Sequence, residues 1–147
     1  MKQTITPLGE DTYDELRTLW EASVRSTHHF LSEADILFYG KLLRESYLAL
    51  VQLYGIYNEE EEVVAFMGLS EEQIEMLFVH PDEQHKGYGT QLVCFALTEK
   101  QVRKVDVNEQ NEAAYQFYRN MGFCVEGRDE LDASGRPFPI LHLVYTD

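Results

Sequence analysis

Basic residues are scarce: 12 lysines and arginines stand against 26 aspartates and glutamates, a net charge of −14 over 147 residues. A grip on nucleic-acid phosphates needs a basic face, so that class of function is excluded. The same excess of negative charge attracts cations, amines among them. Cysteine is nearly absent, with Cys94 and Cys124 alone, too few for a disulfide-stapled secreted domain. Both lie in apolar stretches, Leu92-Val93-Cys94-Phe95 and Gly122-Phe123-Cys124-Val125, which predicts buried, reduced thiols. With 4 prolines and 9 glycines there is no linker, repeat or low-complexity tract, so one domain over 1–147 is expected. No stretch approaches the roughly 18 apolar residues of a membrane span, and Met1-Lys2-Gln3-Thr4-Ile5 has no apolar export segment. A cytoplasmic protein without a membrane or nucleic-acid partner is expected; a homodimer stays open.

What is present is periodic. After a short β-type opening at Thr4 to Leu8, Tyr13, Leu16, Trp20 and Val24 recur at helical spacing. Ser32, with Asp35 three residues on, caps a second helix running toward Tyr47. Leu50 to Tyr57, Val63 to Leu69 and Ile74 to Val79 are β-branched and aromatic runs separated by polar turns, which predicts an antiparallel meander. Glu59 to Glu62 fall at its first turn and read as a solvated tip. A helix follows Gly87-Tyr88-Gly89, and Val105 to Asn108 is a short strand. Glu112 to Met121 form a helix stopped by Gly122, and Phe123 to Leu131 with Pro139 to Tyr145 make a terminal strand pair. The class is α+β with mixed pairing.

A glycine pair between a strand and a helix lets backbone approach a ligand and leaves N–H groups free at the positive helix end. Gln84-His85-Lys86-Gly87-Tyr88-Gly89-Thr90 provides this, with Lys86 as a further cation for an anionic group. A nucleotide P-loop would need lysine after the last glycine, and here the order is Lys86-Gly87-Tyr88. A dinucleotide fingerprint would need a small residue at Leu92, although Asp106 lies about 20 residues on as that fold asks. An acyl-CoA site is the third class.

Here the residues carry a resemblance. Leu77-Phe78-Val79-His80-Pro81 followed by Gln84-x-x-Gly87-x-Gly89 is similar to the strand and Q/R-x-x-G-x-G/A motif of the GNAT (Gcn5-related) N-acetyltransferase family. Asn108-Glu109-Gln110-Asn111-Glu112-Ala113-Ala114, with Phe117-Tyr118-x-x-Met121-Gly122-Phe123, resembles its second motif. Ser26-Thr27-His28-His29-Phe30-Leu31 and Asp132-x-x-Gly135-x-Pro137-x-Pro139 look like a bacterial subgroup of that family. The resemblance implies a mixed, mostly antiparallel sheet of about seven strands flanked by about four helices. It implies acetyl-CoA as cosubstrate, an amine acceptor and no metal.

By the same resemblance, the backbone of Leu77, Phe78 and Val79 would hydrogen-bond the pantetheine arm, and amides from His85 through Lys86, Gly87, Tyr88 and Gly89 to Thr90 would cradle the pyrophosphate. Asn111 would touch the pantetheine or fix its loop. Tyr118 would aim its hydroxyl at the thioester sulfur and act as general acid. Glu75 stands where relatives carry a catalytic carboxylate, and strand alternation sets it on the face opposite Met76 and Phe78. His28 and His29 are the second candidates for the base or for acceptor binding, since the loop between the first two helices walls the acceptor site in that fold. Trp20, Phe30, Tyr39 and Phe138 are candidates for aromatic walls. His80, His85 and His142 read as structural side chains. Two functions follow: an N-acetyltransferase working by direct attack in a ternary complex, or a non-catalytic acyl-CoA-binding module.

Overall fold

The computed structural model describes residues 4–146. Strands β1 (Ile5–Leu8), β2 (Gln52–Tyr57), β3 (Val63–Leu69), β4 (Gln73–Val79), β5 (Lys104–Asn108), β6 (Phe123–Asp129) and β7 (Ile140–Tyr145) form one sheet in the order β1-β2-β3-β4-β5-β7-β6. Helices α1 (Tyr13–Thr27), α2 (Glu33–Leu42), α3 (Tyr88–Thr98) and α4 (Glu112–Met121) cover it. The strand and helix numbers, and the mixed and mostly antiparallel pairing, match the expectation from sequence. No described helix is long and apolar enough to cross a membrane.

Local chemistry explains the element ends. Ser32 caps α2 by accepting from Asp35 N–H at 3.1 Å, while Asp35 accepts from Ser32 N–H at 3.0 Å. The helix does not continue regularly to Tyr47: it loosens into a π turn over Leu43–Tyr47 and a tighter turn over Leu48–Leu50. Gly122, with φ +110°, ends α4 in the left-handed conformation.

Two apolar cores lie on opposite sides of the sheet. Leu16, Trp20, Val24, Ile36 and Leu43 meet Phe66 on the α1–α2 side. Leu92, Val93, Ala96, Tyr118, Phe123 and Leu143 pack on the α3–α4 side. β3, squeezed between both, is buried at every residue. The cysteines correct the expectation of burial: both are exposed. α3 turns Leu92, Val93 and Ala96 inward and leaves Cys94 outside, while on the outermost strand Phe123 points to the core and its neighbour Cys124 away from it.

The decisive feature is where β4 leaves β5. These parallel strands pair only at Gln73 with Lys104 and Ile74 with Val105, and then diverge. On the other edge of β4 the register to β3 slips, with Met76 opposite Gly68 and Ile74 opposite Leu69, so Glu75 is the extra residue of a bulge. Ile74, Leu77 and Val79 then pack with the α3–α4 core, whereas Met76 and Phe78 pack with the α1–α2 core.

Candidate functional site

The divergence opens a cleft of about 580 Å³ on the α3–α4 side, and a second cavity of about 210 Å³ lies between α1, α2 and the β6–β7 connection. The two share His28, Glu75, Met76, Phe78 and Asn108 as lining, so they meet through the gap in the sheet. The bulge corrects the expected placement of Glu75: it shares the face of Met76 and Phe78 and borders both cavities.

His80 N–H donates to Val64 C=O at 2.8 Å, which fixes the alternation along β4. Phe78 therefore directs its N–H and C=O to β3, while those of Leu77 and Val79 face the gap. This corrects the expectation for Phe78, which lines the cleft but has its backbone N–H and C=O turned to β3. The Val79 carbonyl accepts from Gln84 Nε2 at 3.2 Å, which anchors the glycine loop to the strand.

In that loop Gly87, at φ +86°, precedes α3 without any side-chain cap, so the first N–H groups of the helix stay open toward the cleft. His85 also has a positive φ of 67°. Gln84, His85, Gly87, Tyr88, Gly89 and Thr90 all line the cleft. Lys86 does not: its Nζ is 2.6 Å from Glu83 Oε2, an exposed pair that draws it aside. No lysine or arginine among the described residues lines either cavity. An anion in the loop would be met by backbone N–H groups and neutral polar side chains, not by a lysine or arginine.

Tyr118 is buried on α4, caged edge-on by Phe117 at 5.1 Å and Phe123 at 5.4 Å between ring centres. Among the described residues its hydroxyl has no hydrogen-bond partner, and the residue lines the cleft. Burial pushes its pKa above the usual tyrosine range, so the phenol keeps its proton.

Asn111 caps α4 through Oδ1, which accepts from Ala114 N–H at 3.2 Å. Its amide nitrogen thereby faces His28 Nε2 at 3.4 Å. Thr27 Oγ1 donates to Ser23 C=O at 2.9 Å, leaving it to accept from His28 Nδ1 at 2.7 Å. These neighbours assign the Nδ1–H tautomer. Burial, reinforced by His29, pushes His28 down to about 4, so the ring is neutral at neutral pH. His29 itself is exposed and lines neither cavity, which corrects its assignment: it follows the end of α1 with its side chain outward.

Trp20, Phe30, Tyr39 and Phe138 all line the smaller cavity. Tyr39 donates to Asp132 in the β6–β7 connection, and Arg136 pairs with Asp35 at 2.6 Å while lying 3.7 Å from the Phe38 ring centre. These contacts hold the connection against α2. Asn108, Tyr47 and Asp132 were missed as cavity residues. Asn108 stood within the quoted motif, but the π turn that presents Tyr47 leaves no mark in sequence periodicity.

A strand-gap-helix cleft that joins an apolar cavity through the sheet suits transfer of a group from one bound molecule to another. The description "Acetyltransferase (GNAT) domain" matches residues 50–125. The chain is 41% identical over 132 residues to the peptidyl-lysine N-acetyltransferase YjaB of Escherichia coli strain K12, covering 90% of this chain and 89% of that one. The solution structure of apo YjaB from Escherichia coli superposes with a TM-score of 0.90 at 38% identity, covering 99% of both chains. A PaiA N-acetyltransferase from Thermoplasma acidophilum, in complex with coenzyme A, has the same fold, with a TM-score of 0.76 at 19% identity over 99% of this chain and 100% of that one. With this geometry and these relatives, the chain belongs to the GNAT acetyltransferase family.

Proposed function

We propose that the protein transfers the acetyl group of acetyl-CoA to the side-chain amine of a lysine in a peptide or protein. The observation that carries this reading is the meeting of the two cavities at Glu75, Phe78, Asn108 and His28, one suited to an acyl carrier and the other to a narrow amine. The likeness to YjaB, a peptidyl-lysine N-acetyltransferase, supports lysine over other amines. The aromatic walls suit the methylene stem of that side chain, and the net charge of −14 favours the approach of a cation. The CoA pool and the two free thiols suit a cytoplasmic setting.

Acetyl-CoA supplies a thioester, whose C–S bond breaks as the amine nitrogen forms the C–N bond, leaving CoA as the thiol. The backbone N–H and C=O of Leu77 pair with the pantetheine arm in the manner of an added strand, and the first N–H groups of α3 hold the pyrophosphate. Val79 N–H polarises the acetyl carbonyl. An alkyl ammonium with a pKa of about 10.4 is mostly charged at neutral pH, so Glu75 accepts its proton, directly or through one water. Tyr118 gives a proton to the departing sulfur. His28, neutral and engaged by Asn111, supports the wall between the cavities.

Free thiol release is measured with acetyl-CoA and three acceptors, a lysine peptide, its lysine-free counterpart with a free N-terminus, and a polyamine, with the product mapped by mass spectrometry. Turnover greatest on the lysine peptide, with acetyl on its side chain, is expected. Acetyl-CoA binding without thiol release from any amine would reduce the protein to a binding module.

A further inference from the structure

Glu75 is the terminus of a row of polar side chains that crosses the sheet. Gln73 Nε2 donates to Glu75 Oε1 at 3.0 Å and approaches Asp106 Oδ2 on β5 at 3.4 Å. The other oxygen of Asp106, Oδ1, is 2.7 Å from His142 Nδ1 on β7, and His142 Nε2 is 2.8 Å from Asp129 Oδ2 on β6. Four strands thus contribute to one connected row, because Asp106 and His142 are register partners and Gly127 faces His142 from β6.

Every group in this row is exposed or half-buried, and isolated side chains there would sample several rotamers. The row removes that freedom. Both ring nitrogens of His142 face carboxylates, so both are donors and the ring is the row's cation. Asp106 and Asp129 accordingly hold the His142 pKa above its ordinary value. The amide of Gln73 can meet two carboxylates only with its nitrogen turned to them, so its orientation is fixed by the same contacts.

We propose that His142 is a positioning residue for Glu75, acting through Asp106 and Gln73 to hold its carboxylate at the junction of the two cavities. This rests on the reading of Glu75 as the proton acceptor. Around Glu75 the cavities present Asp106, His28, Asp132, Tyr39 and Tyr47, none of them a lysine or arginine. Lys104, on β5, pairs with Glu126 at 3.7 Å, and Arg128 on β6 pairs with Glu109 and Glu130. The charge that offsets Asp106 is therefore that of His142. Removing it leaves Asp106 and Asp129 uncompensated, which adds negative charge beside the junction of the two cavities and should shift the acidic limb of the pH profile upward.

The test is the pH profile of kcat/KM for the lysine peptide in His142→Gln, His142→Arg, Gln73→Leu and the His142→Gln/Gln73→Leu pair. In His142→Gln the acidic limb should move up by about half a pH unit, kcat at neutral pH should fall about threefold, and acetyl-CoA KM should hold. His142→Arg, which restores the cation, should return the limb toward wild type. Gln73→Leu should lower kcat by a similar factor without touching acetyl-CoA KM, and adding His142→Gln to it should lower kcat no further, since the contact path is already cut, while the limb still moves with the lost cation. An unmoved limb in a folded His142→Gln enzyme, or additive losses in the pair, would overturn the inference. Glu75→Gln with wild-type kcat would overturn it together with the assignment of the base. A large loss in Glu75→Gln beside an indifferent His142→Gln would remove the positioning role alone.

Discussion

The Nε2 atom of His28 lies 3.4 Å from the amide nitrogen of Asn111, tying the residue that ends α1 to the residue that begins α4. The wall shared by the two cavities is thereby joined to the helix that carries Tyr118. Asn111→Ala removes both the cap and this contact. A loss of about 1 kcal/mol in stability, typical of a lost cap, is expected in chemical denaturation, together with weaker acetyl-CoA binding by calorimetry. Unchanged values of both would show that Asn111 neither fixes α4 nor shapes the cleft.

His28 and His142 should respond to pH with opposite signs. The folded-state pKa of His28 is pushed down to about 4, below the unfolded value of about 6.5, so its contribution is complete above 6.5 and is lost as pH falls toward 4. His142 is raised, so its contribution is complete below about 6.5 and is lost as pH rises through its folded value. Ring NMR titration should find His28 neutral and His142 protonated at pH 6. The reverse assignment would contradict the described partners of both rings.

Tyr118→Phe deletes a hydroxyl that no described residue bonds, and keeps the ring between Phe117 and Phe123. Folding and acetyl-CoA affinity should be preserved while turnover falls about 10²- to 10⁴-fold, the usual contribution of a positioned acid. Wild-type kcat under chemistry-limited conditions would return this tyrosine to the core.

The two loop glycines should separate stability from binding. Gly87 sits at φ +86°, where a Cβ is strained whatever the space, so Gly87→Ala should cost about 1–2 kcal/mol. Gly89 lies inside α3, and a Cβ there meets Phe117 at an ordinary 3.4 Å. Gly89→Val should therefore leave the thermal midpoint within a few degrees while its branched side chain narrows the cleft and weakens acetyl-CoA binding. Full affinity in Gly89→Val would move the pyrophosphate away from this turn.

Acceptor KM should rise with salt, because 26 acidic residues against 12 basic ones draw a cationic amine through a screened field. A flat response for the lysine peptide would remove long-range attraction from the account.

Much of the candidate site is legible in sequence because it is written in short segments. The Gln84 to Thr90 loop, the Asn111 cap and Tyr118, about two helical turns further along α4, all lie within motifs whose geometry depends on neighbours in the chain. Alternation sets Glu75 on the face opposite Met76 and Phe78, but that rule holds for a regular strand, and the bulge that turns it is visible only against β3. Lys86 is expected as a further cation in the glycine loop, and His29 in the acceptor wall by the family resemblance. Their side chains went elsewhere because Glu83 and solvent were available to them.

From its own pattern the chain determined the elements: a serine-capped helix at Ser32, a left-handed glycine before α3, a glycine stop after α4, and strands where β-branched residues alternate. These are settled by interactions over a few residues, which periodicity and turn chemistry encode. Tertiary structure alone decided that β4 and β5 part after two pairs, that the two cavities meet at Glu75, and that both cysteines face outward. It also brought His142 to Asp106 and Asp129, and Tyr39 to Asp132, across wide separations in the chain. Such contacts follow from sheet register and from which face a helix covers, and both are fixed only when the two cores pack.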